Sequence, residues 1–452
     1  MNSKTTPRDD PLDDGCDISN AQIIRILSER LAPSDQPSLT PPAGTSLTPA
    51  GTSTTLSAGA DQHSPTLGVC VVNDGQSLAK KEERIDGQSL AKEEERIDGQ
   101  IKKRGHKVVA PFERLSNNRS TVTLSVPDQS PMERFSKHHL NVTQLCEQSW
   151  CEIKVVYGFL KPHMKRREMR RTAVTTGASI HLAREREANP DAVTVVVYTR
   201  EDREALKLIN LIQMVPALEA GQLVREFPVL GVLDGVFFLG VVDELYCSKS
   251  GDLVLSELKT RSHNSLPHPA QAKGHSLQVG VYKLLFDSMV QGSMKRDQLL
   301  HFLKLRPHQA FGSELQRYAQ KLGLLAVTFG ELVDHLLVVL HFSNLQPIDK
   351  LCLEYRHQSS GVLIGNREVE FEETQLRAEL RDYLAFWRGE REPHGVDIED
   401  IEEAWKCRTC PYEESCEWRR NRLQEVMVDG SKKAKLDGSK SETPNSCRRV
   451  PN

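Results

Sequence analysis

The chain has 452 residues, which is enough for two or three domains, but only 38% of them are hydrophobic, so part of the sequence is expected to remain outside a packed core. The formal net charge of −3 at pH 7 excludes a globally basic nucleic-acid binder, so any phosphate-binding surface must be local. No apolar run approaches the roughly 20 residues that span a bilayer, and the first residues resemble neither a signal peptide nor a transit peptide. We therefore expect an intracellular protein without a membrane segment, whose ten cysteines are more suited to metal binding than to disulfides.

The first 128 residues are predicted to be largely disordered. Residues 38–59 are rich in Ser, Thr, Pro and Gly, and residues 74–97 hold a twelve-residue near-repeat that is too short to build a solenoid. Residues 19–32 have helical spacing and an N-cap serine, which suits either a docking helix or a marginal solitary one. The basic residues 101–107 suit either a nuclear import signal or an ordinary charged tail.

One packed region is predicted from about residue 129 to residue 425, followed by a disordered basic tail at residues 426–452. Its sequence patterns predict helices over residues 133–157, 177–187, 200–218, 267–291, 329–340 and 373–387. They predict strands over residues 193–198, 236–245, 253–258, 299–305 and 351–355. Mixed helices and strands of this kind indicate the α/β class.

The centre of this region is a predicted β-hairpin formed by residues 236–245 and 253–258. A three-residue loop with Gly251 in the left-handed conformation would pair Ser248 with Asp252 and place Asp243 opposite Glu257. Their Cβ atoms would then lie about 5 Å apart on one face. Two carboxylates in apolar strands need a cation or a shared proton, and a magnesium ion, which prefers oxygen ligands, would supply the cation.

Lys259 lies on the same face as Glu257, because side chains alternate along a strand. An ammonium group beside the metal could orient an attacking water or neutralise charge that builds on a phosphate. A Glu-x-Lys triplet is more often a solvated strand face with a weak ion pair, although the apolar flanks here favour a buried strand.

Other polar side chains are candidates for the same site. His181 and Glu185 lie one turn apart on a predicted helix, and a lone histidine of this kind is usually a packing or surface residue. Gln278, Tyr282 and Phe286 form one stripe on a helix, so Gln278 and Tyr282 belong either to the core or to a substrate-binding surface. A dense basic strip, which suits either a solvated helix face or a phosphate-contacting surface, consists of Lys161, Lys165, Arg166, Arg167, Arg170 and Arg171.

A group of cysteines indicates a second metal site. Cys407, Cys410 and Cys416 form a C-x2-C-x5-C array, and the fourth ligand would be Cys151, with Cys146 as the alternative. Zinc modules usually pair two C-x2-C knuckles, whereas one distant cysteine plus a triplet suits a 4Fe-4S cluster held by four thiolates. Such a site would join the two ends of the folded region.

Together these motifs resemble the RecB-type PD-(D/E)xK nucleases, in which a Gln-x-x-x-Tyr stripe follows the catalytic strands. Stretches such as SPMERF, TGASIHLARE, REFPV, ELKTR and EAWKCRTC narrow the resemblance to the exonuclease V family over about residues 130–420. The resemblance implies a restriction-endonuclease-like fold, with a mixed central sheet flanked by helices and stapled by a 4Fe-4S cluster.

The resemblance also implies roles for individual residues. Asp243 and Glu257 would bind Mg²⁺, with the Leu258 carbonyl as a further ligand, while Lys259 would assist catalysis. His181 would approach the metal, and Gln278 and Tyr282 would contact the substrate backbone. The cluster ligands would be Cys151, Cys407, Cys410 and Cys416.

The family's activity is hydrolysis of single-stranded DNA from free ends in genome maintenance, with 5′ polarity when a single-strand DNA-binding protein of the replication protein A type coats the substrate. A monomer in the nucleus is expected, with the cytosol or mitochondrion as other compartments. Two other readings stay open, namely a binding module with a vestigial metal site and a metal-stapled scaffold that recruits repair partners.

Overall fold

The computed structural model describes residues 70–74, 129–188 and 193–438. The strands are β1 (Cys70–Asp74), β2 (Leu140–Asn141), β3 (Val193–Val197), β4 (Val224–Leu233), β5 (Val236–Cys247), β6 (Leu253–Arg261), β7 (Lys350–His357) and β8 (Leu363–Val369). The helices before the sheet's central hairpin are α1 (Pro131–Arg134), α2 (Val142–Trp150), α3 (Glu152–Leu160), α4 (Pro162–Met169), α5 (Thr172–Ala188) and α6 (Arg200–Glu219). Those after it are α7 (Pro269–Val290), α8 (Arg296–Leu303), α9 (Ser313–Lys321), α10 (Phe329–Phe342), α11 (Glu373–Trp387), α12 (Ile401–Arg408) and α13 (Glu417–Gly438).

A mixed six-stranded sheet forms the centre of the fold. Its order is β2-β5-β6-β7-β8, and β4 pairs with the other edge of β5. The pairs β4–β5, β5–β6 and β7–β8 are antiparallel, whereas β2–β5 and β6–β7 are parallel. The predicted mixed central sheet flanked by helices is therefore confirmed.

Strand β5 carries two partners along one of its edges. The short strand β2 pairs with Phe238 and Leu239, and β6 pairs only from Glu244 onwards. Residues 240–243 lie between these two pairings, with β4 along the opposite edge. The sheet therefore has a local opening at the residue that the sequence singles out, Asp243.

Helix α7 runs across the sheet and packs against β4, β5, β6 and β7. It lies within the long connection between β6 and β7, because two parallel neighbours need a crossover rather than a tight turn. Buried apolar side chains line it on several sides, among them Leu277, Val281, Leu285 and Phe286. This placement holds Gln278 and Tyr282 over the hairpin.

Helix α5 also lies against the sheet, where it contacts β4 and β6. Its buried residues are few: Val174, Ala178, Leu182 and Glu185. Val174 and Ala178 form a small apolar cluster with Met169, apart from the main core. Polar contacts therefore contribute much of the attachment of α5 to the sheet.

Several sequence predictions differ from the structure. Residues 299–305 were expected as a strand, but helix α8 ends at Leu303, because Leu299 and Leu303 are buried one turn apart and Lys304 adopts a left-handed φ of 49°. Residues 70–74 form a strand parallel to β3 within the segment expected to be disordered. Helix α13 continues to Gly438, beyond the predicted boundary at residue 425.

The remaining predictions for the two ends of the chain, including residues 19–32, 101–107 and 439–452, lie outside the described residues. None of the helices in the described ranges combines the length and apolar content needed to cross a bilayer.

Candidate functional site

The hairpin loop between β5 and β6 has the predicted geometry. The amide of Ser248 donates to the carbonyl of Asp252 at 2.8 Å, and Gly251 has a φ of 88°, which favours glycine. The ladder between β5 and β6 pairs Glu244 with Ser256, so the next step of the same register places Asp243 opposite Glu257. The predicted register is therefore confirmed up to the site.

The charged residues of the hairpin are buried. Asp243 is 6% exposed, Glu257 4% and Lys259 7%, so they do not form the solvated strand face that the sequence left open. Oδ2 of Asp243 accepts a hydrogen bond from the Leu258 amide at 2.8 Å. The carboxylate of Asp243 thus occupies the opening between the strands and is fixed by the backbone of β6.

Helix α5 brings His181 to this carboxylate. Nδ1 of His181 lies 3.3 Å from Oδ1 of Asp243. Burial raises the pKa of Asp243, but the neighbouring imidazole, the Lys259 ammonium and the Leu258 amide outweigh it, so this pKa lies below its ordinary value. Asp243 is therefore held as a carboxylate, and His181 belongs to the site rather than to the packing of a distant helix.

A third acid, Glu226 on β4, also lies at the site and was not singled out from the sequence. Its neighbours Arg225 and Phe227 pair with Glu244 and Val242, which places Glu226 across from Asp243. Its φ of 56° is unusual for a residue other than glycine within a strand and is typical of functional sites. The quoted stretch REFPV includes Glu226, but nothing in its local pattern predicts the left-handed backbone.

Glu226, Asp243 and His181 form a compact set of potential metal ligands. One ligand atom from each lies within 4.8 Å of the other two, and no other set of three His, Cys, Asp or Glu atoms among the described side chains meets this distance. Two carboxylates and one imidazole suit a hard divalent ion such as Mg²⁺ or Mn²⁺. With Glu257 next to Asp243 in the register, the acids follow one line across β4, β5 and β6.

Lys259 and Glu257 are joined through Gln278 of helix α7. Nζ of Lys259 donates to Oε1 of Gln278 at 2.6 Å and lies 3.4 Å from Oε1 of Glu257. Nε2 of Gln278 donates to the same Glu257 oxygen at 2.8 Å. Gln278 therefore orients both charged groups, and its predicted contact with a substrate backbone stays a prediction.

Tyr282 completes this group one helical turn further along α7. Its hydroxyl accepts a hydrogen bond from Nε2 of Gln278 at 2.9 Å. Burial, together with the charges of Glu257 and Asp243, raises the pKa of Tyr282 well above its ordinary value, so the phenol stays protonated. Glu257 and Asp243 thus both raise the pKa of Tyr282, as expected if the two acids lie on the same face of the sheet.

The cysteines predicted as metal ligands meet at a second place. Cys151, Cys407, Cys410 and Cys416 line one cavity. Cys151 lies in the break between α2 and α3, Cys407 lies in the last turn of α12, and the other two flank the short 3-10 turn Glu413–Ser415. Cys146 is not among the lining residues and its thiol donates to the carbonyl of Val142 at 3.4 Å.

Aromatic residues and cations surround these thiols. Tyr157 and Tyr412 stack with ring centroids 5.5 Å apart, and the Tyr157 hydroxyl donates to the Ser415 carbonyl at 3.0 Å. Lys154, Lys406 and Arg419 also line the cavity. Burial raises the pKa of Cys407 to about 11 and that of Cys410 to about 12, so a metal that binds there must displace protons.

The basic strip lies on helix α4 and on the residues that flank it, up to the start of α5. Lys165 pairs with Glu147 at 2.6 Å, and the Lys161 ammonium lies 5.0 Å from the centre of the Tyr157 ring. Arg166, Arg167, Arg170 and Arg171 are exposed. Lys161 and Lys165 are therefore engaged within the protein, whereas the four arginines of the strip are exposed.

Known proteins resemble this chain over the region that holds both sites. The family described as "Exonuclease V - a 5' deoxyribonuclease" matches residues 130–252, 247–332 and 328–419. A curated protein of Danio rerio named Exonuclease V is 57% identical over 294 residues, which is 65% of this chain and 74% of that protein. A solved structure titled "Crystal structure of SSO0001" covers 64% of this chain and 91% of its own, with 13% identity and a TM-score of 0.33.

Proposed function

The chain belongs to the exonuclease V family and is a nuclease, and from this premise we propose that it is a magnesium-dependent exonuclease that hydrolyses single-stranded DNA from free ends. The observation that supports this most strongly is the line of acids across the sheet, in which Glu226 is half-buried and Asp243 and Glu257 are buried, with Lys259 beside it. Buried like charges destabilise a fold unless a cation balances them, so the arrangement suits metal chemistry better than packing.

The donor set fits a divalent ion. Asp243, Glu226 and His181 would hold it, with Glu257 next to them in the register. Oxygen donors dominate, as Mg²⁺ requires. When bound, the ion supplies Lewis-acid stabilisation of the negative charge that builds on the phosphate during hydrolysis.

The chain's own residues prepare the rest of the reaction centre. Lys259 holds a positive charge near the acids, where it can stabilise a developing phosphate charge or orient water. Gln278 keeps the Lys259 ammonium and the Glu257 carboxylate in fixed positions through two hydrogen bonds. Tyr282 holds Gln278 from the other side, so α7 positions the groups on β6.

We assign a 4Fe-4S cluster to Cys151, Cys407, Cys410 and Cys416. Zinc modules usually pair two C-x2-C knuckles, whereas here one distant cysteine and a C-terminal triplet line one cavity, which suits a cluster held by four thiolates. Because hydrolysis moves no electrons, the cluster's role is structural.

The proposed substrate strand contacts the exposed part of the basic strip, Arg166, Arg167, Arg170 and Arg171, next to the start of α5. Arg171 directly precedes this helix, and His181 lies ten residues further along, a distance of about 15 Å at 1.5 Å per residue. We further propose action on DNA coated by a single-strand DNA-binding protein of the replication protein A type, by a monomer in the nucleus, in DNA repair.

The test is cleavage of end-labelled single-stranded DNA by the full chain and by Asp243→Asn. We expect Mg²⁺-dependent release of short products from linear DNA, none from circular DNA, and a loss of at least about a thousandfold in rate for the variant with unchanged DNA binding. Asp252→Asn is the matched control, because Asp252 lies in the same hairpin but pairs with Lys350. Undiminished cleavage by Asp243→Asn would refute the metal assignment, and absence of cleavage by the unaltered chain would favour a repair scaffold.

A further inference from the structure

A charged network lies beside the candidate metal site and ties helix α5 to the sheet. Arg184 of α5 bridges two acids on different strands, with NH2 2.8 Å from Glu244 of β5 and NH1 3.1 Å from Glu354 of β7. One guanidinium thus reaches acids on two strands, with a hydrogen bond to Glu354 and an ion pair with Glu244, which a single ammonium group would do less well.

Arg225 of β4 adds a second connection. Its Nε lies 3.0 Å from the same Glu244 carboxylate, and its NH1 donates to the carbonyl of Arg184 itself. Arg356 lies 2.5 Å from Glu354 and completes the set. Arg225 therefore fixes both the acid that Arg184 binds and the backbone of α5 at that residue.

Three members of the network lie close to a candidate ligand in the sequence. Glu244 follows Asp243, Arg225 precedes Glu226, and Arg184 is three residues from His181 on one helix. The spacing of three places Arg184 and His181 on neighbouring positions of the α5 surface. A change in the geometry of the network would therefore be expected to move the residues that form the metal-ligand set.

Polar clamps also hold the first half of α5. Nε2 of Gln358 donates to the Ala173 carbonyl at 2.9 Å and to Oγ1 of Thr260 at 3.1 Å. A Cβ at Gly177 would lie 2.8 Å from that hydroxyl, so the helix approaches β6 closely. With so little apolar burial on α5, these contacts and the Arg184 network determine where His181 lies.

We propose that Arg184, with Glu244 and Arg225, is a positioning group that sets His181 against Asp243 and so determines the affinity of the site for a divalent ion. This proposal rests on the proposed function only through the metal site. It differs from an ordinary ion pair, which at an exposed position contributes little. Groups that orient metal ligands typically change metal affinity by about 10- to 100-fold when they are removed.

The test measures Mn²⁺ binding to the full chain without DNA, from the free Mn²⁺ signal in electron paramagnetic resonance. We expect Arg184→Met to raise the Kd for Mn²⁺ by about tenfold or more. Arg184→Lys, which keeps the charge but not the fork, should raise it by more than about threefold. The matched control is Arg306→Met, which also removes the arginine partner of a buried acid, Glu201, but does not belong to the network that holds α5. Its Kd for Mn²⁺ should stay within about twofold of that of the unaltered chain.

A double-variant cycle separates positioning from general destabilisation. If Arg184 acts through His181, then His181→Ala with Arg184→Met should bind Mn²⁺ within about twofold of His181→Ala alone. Additive losses, or unchanged Mn²⁺ binding by Arg184→Lys, would overturn the proposal. Failure of the unaltered chain to bind Mn²⁺ would instead refute the metal site itself, which keeps the two proposals distinguishable.

Discussion

Gly240 shows how a single residue shapes the site. It lies in the opening of β5 between the pairings with β2 and β6, and a Cβ there would lie 2.5 Å from Cε1 of Tyr282. The absence of a side chain allows the phenol ring to rest on the strand, where its hydroxyl holds Gln278. Gly240 has no side chain that could take part in hydrolysis. It nevertheless allows Tyr282 to hold Gln278, which in turn holds Lys259 and Glu257.

Gly240→Ala should move Tyr282 and lower the cleavage rate by at least about tenfold, with a loss of about 1–3 kcal/mol in the free energy of unfolding. Chemical denaturation and single-turnover cleavage measure the two effects. Gly231→Ala is the control in the adjacent strand, because its Cβ would lie 3.4 Å from Leu285 and needs little movement. Equal effects of the two variants would show that Tyr282 does not depend on Gly240.

Glu226→Gln should raise the Mg²⁺ concentration for half-maximal cleavage by about tenfold, because the ligand set loses one negative charge while its shape is kept. A magnesium titration of the cleavage rate measures the shift. The exposed strand residue Glu368 provides the control, and Glu368→Gln should leave the requirement unchanged. If both curves coincide with that of the unaltered chain, Glu226 does not contribute to the site.

At the scale of elements, the cysteine cavity depends on segments that are short and irregular. Cys410 and Cys416 lie on either side of a 3-10 turn, and Cys151 has an extended backbone between two helices. Backbone hydrogen bonds alone hold such segments weakly, so the stacked tyrosines and a bound cluster would provide the order.

Cys407→Ser should remove the visible absorbance and bound iron of the purified chain, because a hydroxyl is a poor ligand for a cluster held by thiolates. Iron analysis and absorbance spectra provide the measurement. Cys247→Ser is the control, since Cys247 is exposed at the end of β5 and away from the cavity lining. An iron content equal to that of the unaltered chain would contradict the cluster assignment.

Contacts between distant parts of the sequence hold the whole molecule together. Tyr157 bonds to Ser415, and Gln148 accepts a hydrogen bond from Trp387 at 2.7 Å. The cysteine cavity lies at the same junction, so the proposed metal would close a loop of more than 250 residues.

Removal of the metal with a chelator under reducing conditions should lower the unfolding temperature by about 10 °C or more, because the binding free energy of such a site contributes to folding. Scanning calorimetry before and after treatment measures the change. Cys407→Ser should already unfold at the lower temperature and respond little to the chelator. A chelated chain that unfolds at its original temperature would exclude a structural metal.

Local patterns predicted the parts of this molecule that local chemistry determines. Gly251 and the alternating apolar residues determined the hairpin register, and the spacing of its apolar residues identified the helix Glu373–Trp387. The left-handed backbone of Glu226 and the bonding of Gln278 to Lys259 arise from tertiary packing, which one sequence does not display. Residues 299–305 were predicted wrongly for the same reason. Their apolar residues fit the spacing of a strand and that of a helix, and the burial of Leu299 and Leu303 in the fold favours the helix.

The most direct test of the account is diffraction from crystals of the full chain soaked in Mn²⁺, with anomalous differences used to locate the ion. We expect an anomalous peak bounded by Asp243, Glu226 and His181, with Glu257 adjacent, and no peak there in Asp243→Asn. A difference map without a peak at these residues, from crystals whose soaked chain still cleaves DNA, would contradict it.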